Sequence, residues 1–196
     1  MKQAVVFLGS PRKNGNTNSL TAPFTDRLEE GGWNVRSFDL HDMDLKPCIA
    51  CRTCQQDHSR FGCIHDDDMQ QIFDIILGSD LLVFATPVYS WYATPPVKTV
   101  MDRLVYGMNK YYGEKKGPAL WAGKSVALIT TCGYPPEKGA DLLEEGVRRY
   151  CKHSQLHYIG MLVEHHLGYG TVFMTDEKKQ HALNFADRIM GQMAGR

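Results

Sequence analysis

The residues best suited to chemistry in this chain of 196 residues fall into four short stretches. The first is Gly9-Ser10-Pro11-Arg12-Lys13-Asn14-Gly15-Asn16-Thr17-Asn18-Ser19. A loop of small and hydroxyl residues that leads into a helix leaves backbone N–H groups unpaired beside the positive end of the helix dipole, and a phosphate is stabilised there. Ser10, Thr17 and Asn18 can add side-chain donors, and Arg12 adds charge. The loop has neither the Gly-Lys-Ser/Thr ending of a P-loop nor the G-x-G-x-x-G spacing of a dinucleotide fold. The same composition also suits a polar turn whose Ser and Thr only cap a helix. The second and third stretches, Thr86-Pro87-Val88-Tyr89-Ser90-Trp91-Tyr92 and Thr130-Thr131-Cys132-Gly133-Tyr134, combine aromatic rings with backbone amides. A planar heteroaromatic ring needs that mixture of stacking and hydrogen bonds, although an aromatic cluster taken alone serves equally well as core.

The fourth stretch is the run Cys48-x2-Cys51-x2-Cys54-x8-Cys63, part of a total of six cysteines with Cys132 and Cys151. Close spacing lets one loop present several thiolates to a metal centre, and four thiolates would also satisfy tetrahedral zinc. The alternative is a loop of free thiols that shapes the rim of a site, and no metal is assigned. His41, His58 and His65 lie among these cysteines. His165 and His166 follow the fifth expected strand, where a residue could approach a bound substrate, but a histidine at such a place is more often a surface or interface residue than a catalyst. Cys151 falls in an expected helix, where a free cysteine acts as a small apolar residue.

Strands and helices must alternate to position these stretches. Near-continuous apolar runs predict parallel strands covered on both faces over Ala4–Leu8, Asp80–Thr86 and Lys124–Thr131, with further strands at Trp33–Phe38 and Leu156–Val163. Helices are expected over Ser19–Glu30, Asp68–Leu77, from Pro95 or Pro96 to Tyr106, Pro136–His153 and Asp176–Gln192. Residues Asp39–Asp67 read as irregular. Five strands alternating with five helices predict an α/β fold, a three-layer sandwich with a five-stranded parallel sheet and helices on both faces. No repeat or linker divides residues 1–196, so one domain is expected.

Lysine plus arginine equal aspartate plus glutamate at 22 each. That balance gives no electrostatic reason to expect nucleic acid or an anionic membrane as partner. The apolar runs are far shorter than the ~20 residues of a membrane span, and the N-terminus lacks the pattern of a signal peptide. A cytoplasmic location is the expectation.

Taken together, Gly-Ser-Pro-Arg-Lys-Asn-Gly-Asn-Thr at 9–17, Thr-Pro-Val-Tyr at 86–89 and Pro-Pro-Val-Lys-Thr-Val-Met-Asp-Arg at 95–103 resemble one family. It is the NADPH-dependent FMN reductase and iron–sulfur flavoprotein branch of the flavodoxin-like superfamily. Lys-Pro-Cys-Ile-Ala-Cys at 46–51 and Asp-Asp-Asp-Met at 66–69 look like the same branch. The resemblance implies a flavodoxin-like fold in which Ser10, Arg12, Asn16, Thr17 and Asn18 hold the FMN phosphate. Pro87, Val88, Tyr89, Ser90 and Trp91 would line the flavin ring, and Thr131, Cys132 and Gly133 would bound its other side. It implies electron transfer from NAD(P)H through FMN to a quinone, flavin or other small acceptor, with no single catalytic side chain. Backbone N–H groups near Val88–Trp91 and at Gly133 would stabilise the reduced flavin. A 4Fe–4S cluster at Cys48, Cys51, Cys54 and Cys63 is known in the branch, but the gap of eight residues is long for it. A homodimer or homotetramer is implied too, for which the segments 89–92 and 106–121 could supply contacts or simply pack internally. The competing readings are a flavodoxin-like electron carrier, disfavoured by the neutral charge, and a redox-sensing iron–sulfur flavoprotein.

Overall fold

Every strand of this chain carries apolar residues on both of its faces, and the sheet they form is accordingly covered on both. The computed structural model describes residues 1–110, 117–168 and 170–195. Its strands are β1 (Gln3–Leu8), β2 (Asn34–Asp39), β3 (Leu81–Pro87), β4 (Ser125–Cys132) and β5 (His157–His165). They form one sheet in the order β2-β1-β3-β4-β5, with every pairing parallel. Successive side chains alternate between two cores, as a strand's period of two requires. Val5, Phe7, Leu82, Phe84, Val126 and Leu128 pack with Ile72, Val100, Leu104 and Val147. These partners come from the helices α2 (Met69–Gly78), α3 (Pro95–Met108) and α5 (Asp141–His153). Ala4, Val6, Val83, Ala85, Ala127 and Ile129 pack on the other face with Leu20, Phe24, Phe185 and Ile189. Those belong to α1 (Asn16–Glu30) and α6 (Asp176–Met193). The expected three-layer flavodoxin-like sandwich is borne out.

Two expected boundaries move. The first helix begins at Asn16, not Ser19, so Asn16, Thr17 and Asn18 form its opening turn. The expected helix Pro136–His153 is divided into α4 (Pro136–Gly139) and α5, with Ala140 between them at φ −121° and ψ −5°. Gly139 lies so close to the end of β4 that an added Cβ would stand 3.0 Å from the Tyr134 carbonyl oxygen and 3.1 Å from Cys132 Sγ. The chain turns there to clear the sheet before α5 starts.

Residues between β2 and α2 are irregular apart from a short 3-10 turn at Thr53–Gln55. With little core of their own, they are held by buried charge. Arg103 and Asp67 form an ion pair with both side chains almost wholly buried. The Arg103 guanidinium also donates to the Lys46 carbonyl and to Cys63 Sγ, each at 3.2 Å. Burial alone would raise the Asp67 carboxyl, but hydrogen bonds from Arg103 and from the amides of Lys46 and Met69 hold it below its ordinary value. Lys110, also buried, donates to the carbonyls of Cys54 at 2.7 Å and Asp57 at 3.1 Å. Removing one partner of such a pair leaves an uncompensated buried charge, at a cost of about 3–5 kcal/mol. Among the described residues, no helix is long and apolar enough to cross a membrane.

At the end of β1, Gly9 donates its amide to the Ala85 carbonyl at 2.8 Å and accepts Thr94 Oγ1 at 2.8 Å. An added Cβ would overlap the Val97 side chain and come within 2.8 Å of Thr94 Oγ1. Gly9→Ala should therefore cost about 1–3 kcal/mol, the usual penalty of overpacking. A urea titration should show a lower midpoint with an unchanged slope; an unchanged midpoint would refute this packing.

The thiols differ in reactivity for physical reasons. Hydrogen bonds from the Thr53 side chain and backbone lower the exposed Cys51 thiol from its ordinary value, whereas burial pushes Cys151 up to about 12. Iodoacetamide at pH 7.5 (about one unit below the free thiol's range) should label Cys51 first and Cys151 only after unfolding. Peptide mapping that finds Cys151 labelled in the native protein would contradict the buried placement.

Candidate functional site

The carboxyl ends of β1, β3 and β4 lie side by side, and the loops that leave them enclose a cleft of about 280 Å³. The chain leaves β1 outward to β2 and returns to β3 on the opposite side, so strand order reverses between β1 and β3. In open α/β sheets, ligands bind at such a reversal outside the carboxyl ends. Ser10, Arg12, Asn16, Thr17, Pro87, Val88, Tyr89, Thr131, Cys132 and Gly133 line the cleft, joined by Pro11, Gly15 and His166.

Hydrogen bonds across the layers fix these loops to each other. Thr17 Oγ1 and Thr131 Oγ1 are 2.7 Å apart in a buried pair that ties the first turn of α1 to the end of β4. The Val88 amide donates to the Thr131 carbonyl at 2.9 Å, coupling the third strand's loop to the same residue. Ser10 Oγ accepts from the Arg12 amide at 3.2 Å and donates to its carbonyl at 3.1 Å, which curls the loop before the helix. Gly15 precedes α1 in extended conformation, and no side chain caps the helix. The opening amides of α1 have no acceptor within the helix itself, so they and the dipole are available to an anion.

Asn18 lies outside the lining. Its side-chain Nδ2 donates to the Lys13 carbonyl at 3.1 Å and braces the loop from the helix side, while its Oδ1 is buried without a partner. Ser90 and Trp91 line a neighbouring chamber of about 260 Å³ that shares Val88, Cys132 and Gly133 with the cleft and adds Tyr134 and Gly139. Both residues have positive φ, 50° and 67°, in a two-residue turn closed by paired Tyr89–Tyr92 backbone bonds of 2.9 and 3.0 Å. Two successive left-handed residues match the tight hairpin turn usually made by Asn-Gly, and without glycine they cost of order 1–3 kcal/mol each. Trp91 offsets that strain by stacking on Tyr134 at 6.0 Å and 11°, with its Nε1 donating to the Lys138 carbonyl at 2.9 Å.

The amides of Val88 and Tyr89, expected as donors to a ligand, are already spent on Thr131 and Tyr92. Of the expected amides, Ser90, Trp91 and Gly133 are left. Burial pushes the Cys132 thiol up, so the cleft wall there is a neutral thiol that donates to the Tyr134 carbonyl at 3.1 Å. His166, for which an approach to bound substrate is the less favoured reading of the sequence, lines the cleft, because β5 extends two residues beyond its expected end at Val163 and delivers the following residue alongside Cys132.

Cys48, Cys51, Cys54 and Cys63 line a separate small cavity with Arg103 and Tyr106, which shares no lining residue with the cleft or its neighbour. Cys54 Sγ lies 3.3 Å from the Tyr106 carbonyl, and Cys63 Sγ receives the Arg103 guanidinium. Among the described residues, no group of three or more His, Cys, Asp or Glu side chains is placed to hold a metal ion. As arranged, the four thiols do not make a ligand set for an iron–sulfur cluster. Of the aromatics expected at an oligomer contact, Tyr89, Trp91 and Tyr92 are exposed, whereas Trp121 is fully buried. Residues 111–116 of the second segment lie outside the described residues.

Comparison with known proteins agrees with this arrangement. The family model for NADPH-dependent FMN reductase matches residues 2–160. An iron–sulfur flavoprotein of Archaeoglobus fulgidus is 30% identical over 135 residues, 69% of this chain and 58% of that protein. One of Methanosarcina thermophila is 29% identical over 119 residues, 60% of this chain and 61% of that one. The chain thus spans about three fifths of the length of these two relatives. Among solved structures, the NAD(P)H:quinone oxidoreductase of Methanothermobacter marburgensis superposes with a TM-score of 0.69 at 17% identity, covering all of this chain and 98% of that one. An FMN-dependent NADH-azoreductase of Bacillus anthracis, solved in complex with FMN, gives 0.68 at 14% identity, covering 99% and 100%. At these identities the solved structures speak for the fold, while the match over most of the chain shows that this protein belongs to the NADPH-dependent FMN reductase family.

Proposed function

We propose that this chain is an FMN-dependent NAD(P)H oxidoreductase acting on a small-molecule acceptor such as a quinone or a flavin. The observation that carries this reading is the uncapped N-terminus of α1 opening into a cleft whose three loops are locked together through Thr131. FMN, when bound, would accept a hydride from NAD(P)H and pass the electrons on. The residues present fit that cofactor. Ser10, Arg12, Asn16 and Thr17 hold its phosphate with the opening amides of α1, and Asn18 keeps their loop in shape. Pro87, Val88, Tyr89, Thr131, Cys132 and Gly133 form apolar and backbone walls for its ring. Ser90 and Trp91, with Tyr134, form the adjoining chamber where a nicotinamide or an acceptor ring would stack. A backbone-lined wall needs no acid or base residue, because preorganised N–H dipoles stabilise negative charge as it develops.

The azoreductase and quinone oxidoreductase names of the fold's solved relatives accord with an acceptor of this class. A cytoplasmic location and assembly as a homodimer or homotetramer belong to the same proposal. The exposed rings of Tyr89, Trp91, Tyr92 and Tyr134 offer the surface for a second subunit. The proposal gives the cysteine cavity no cofactor and routes no electron through it.

Protein reconstituted with FMN should show a flavin absorption spectrum that bleaches anaerobically on addition of NADH or NADPH and recovers with a quinone. Thr17→Glu, which puts a carboxylate at the phosphate position and breaks the Thr131 contact, should weaken FMN binding at least tenfold, about 1.4 kcal/mol. A wild-type spectrum that NAD(P)H leaves unchanged would favour an electron carrier over a reductase. A protein that takes up no FMN would end the proposal.

A further inference from the structure

Arg103 of α3 is 2% exposed, and not all of its donors are matched. Nη1 donates to the Lys46 carbonyl at 3.2 Å and to the Asp67 carboxylate, and Nη2 donates to Cys63 Sγ at 3.2 Å. Nε is buried without an acceptor among the described residues. A buried N–H of that kind is rare in folded proteins and points to an acceptor still to come. Nε–H and one Nη2–H share an edge of the planar guanidinium, the edge that grips two acceptor atoms as a fork. Here that edge meets a single sulfur.

The sulfur has room beside it. Cys63 and Arg103 line a cavity of about 20 Å³ together with Cys48, Cys51 and Cys54, space for roughly one water-sized molecule. Ile49 and Ile64 stand in the same lining and are both more than half exposed, so the cavity opens to solvent. Lys110, 3% exposed, adds a second buried cation on the Cys54 side, where it donates to the Cys54 carbonyl. The other thiols have different neighbours: Cys54 Sγ faces the Tyr106 carbonyl, and the exposed Cys51 Sγ accepts from the Thr53 hydroxyl.

We propose that Cys63 is a modification site, oxidised by hydrogen peroxide to a sulfenic acid whose oxygen accepts the Arg103 Nε–H. The sulfur attacks one peroxide oxygen, so an S–O bond forms as the O–O bond breaks. Sulfur loses two electrons and the peroxide gains them. The departing hydroxide takes the thiol proton, so the thiol and hydrogen peroxide give sulfenic acid and water. Sulfenic acid is the reversible first rung of cysteine oxidation. Sulfur and oxygen together then occupy both donors of the Arg103 edge, and a guanidinium fixed in advance stabilises the charge that develops on the peroxide oxygen. The cavity is sized for so small an oxidant, whereas the exposed Cys51 remains the first thiol to meet larger reagents. It shares no lining residue with the FMN cleft, so the inference stands apart from the FMN reading.

The test treats the reduced full chain with equimolar hydrogen peroxide in the presence of dimedone, and reads the adduct at each cysteine by peptide mapping. In the native protein Cys63 should carry about ten times the adduct of Cys48, Cys51 or Cys54, a rate ratio of one decade. Denaturing urea should level the four. Arg103→Lys keeps the charge but loses the fork, and should bring Cys63 down to its neighbours; near-UV circular dichroism shows whether that variant has kept its fold. A native wild type with no adduct at Cys63, with its main adduct at Cys51, or with Cys63 in a disulfide instead of an adduct overturns the inference, whatever the variant does. So does a preference for Cys63 that persists in urea, or in a folded Arg103→Lys protein.

Discussion

A parallel sheet sends the carboxyl ends of all its strands to one edge, and a reversal of strand order opens a gap between two of the loops that leave that edge. The cleft of this protein follows from that constraint. β1 and β3 are neighbours whose connections depart in opposite directions, so the loop into α1 and the loop after β3 cannot cover the space between them. The buried Thr17–Thr131 hydroxyl pair then sets how wide the gap is, because it fixes the first turn of α1 against β4 at 2.7 Å. An unpaired hydroxyl at that depth costs about 1–3 kcal/mol, so the two residues hold each other in place.

The same economy governs the surroundings. Gly9 permits α3 to approach the end of β1, and Thr94, just before α3, closes that approach with a hydrogen bond to the Gly9 carbonyl. The Ser90–Trp91 turn keeps an unfavourable backbone because Trp91 is held by Tyr134 and the Lys138 carbonyl. The cysteine segment lacks an apolar core of its own and depends on Arg103, Asp67 and Lys110, three charged residues buried on or against α3. Polar contacts thus shape the functional edge, while the two apolar cores supply most of the driving force for folding, at about 25 cal/mol per Å² buried.

Much of this was legible in the sequence because local signals and global fold agree. Ala4–Leu8 and Asp80–Thr86 read as doubly covered strands on apolar content alone, and the loop at 9–19 read as a polar stretch that opens a helix, which is where α1 begins. What sequence could not show were features set by contacts between distant residues. The Val88 amide is consumed by Thr131, which only the folded chain brings near, and the Tyr89 amide by Tyr92 across a left-handed turn that no glycine or asparagine announces. Asn18 faces its own loop because the helix starts three residues earlier than expected, which rotates it away from the cleft. The break at Ala140 depends on how tightly Gly139 approaches β4. His166 carried little weight in the sequence because strand ends are poorly marked when polar residues such as Glu164 and His165 continue the pairing. The cysteine run was legible as a close set of thiols, and the fold gathers Cys48, Cys51, Cys54 and Cys63 around one small cavity, with Cys63 taken up by Arg103.

The central claim is that one anionic, ring-bearing cofactor is gripped by three loops at once. Amide hydrogen exchange of the full chain with and without FMN tests it most directly. The account predicts slowed exchange at Asn16–Ser19, Ser90–Trp91 and Thr131–Gly133 together, with the 48–63 segment unaffected. Protection confined to the cysteine segment, or absent from the first turn of α1, would contradict it.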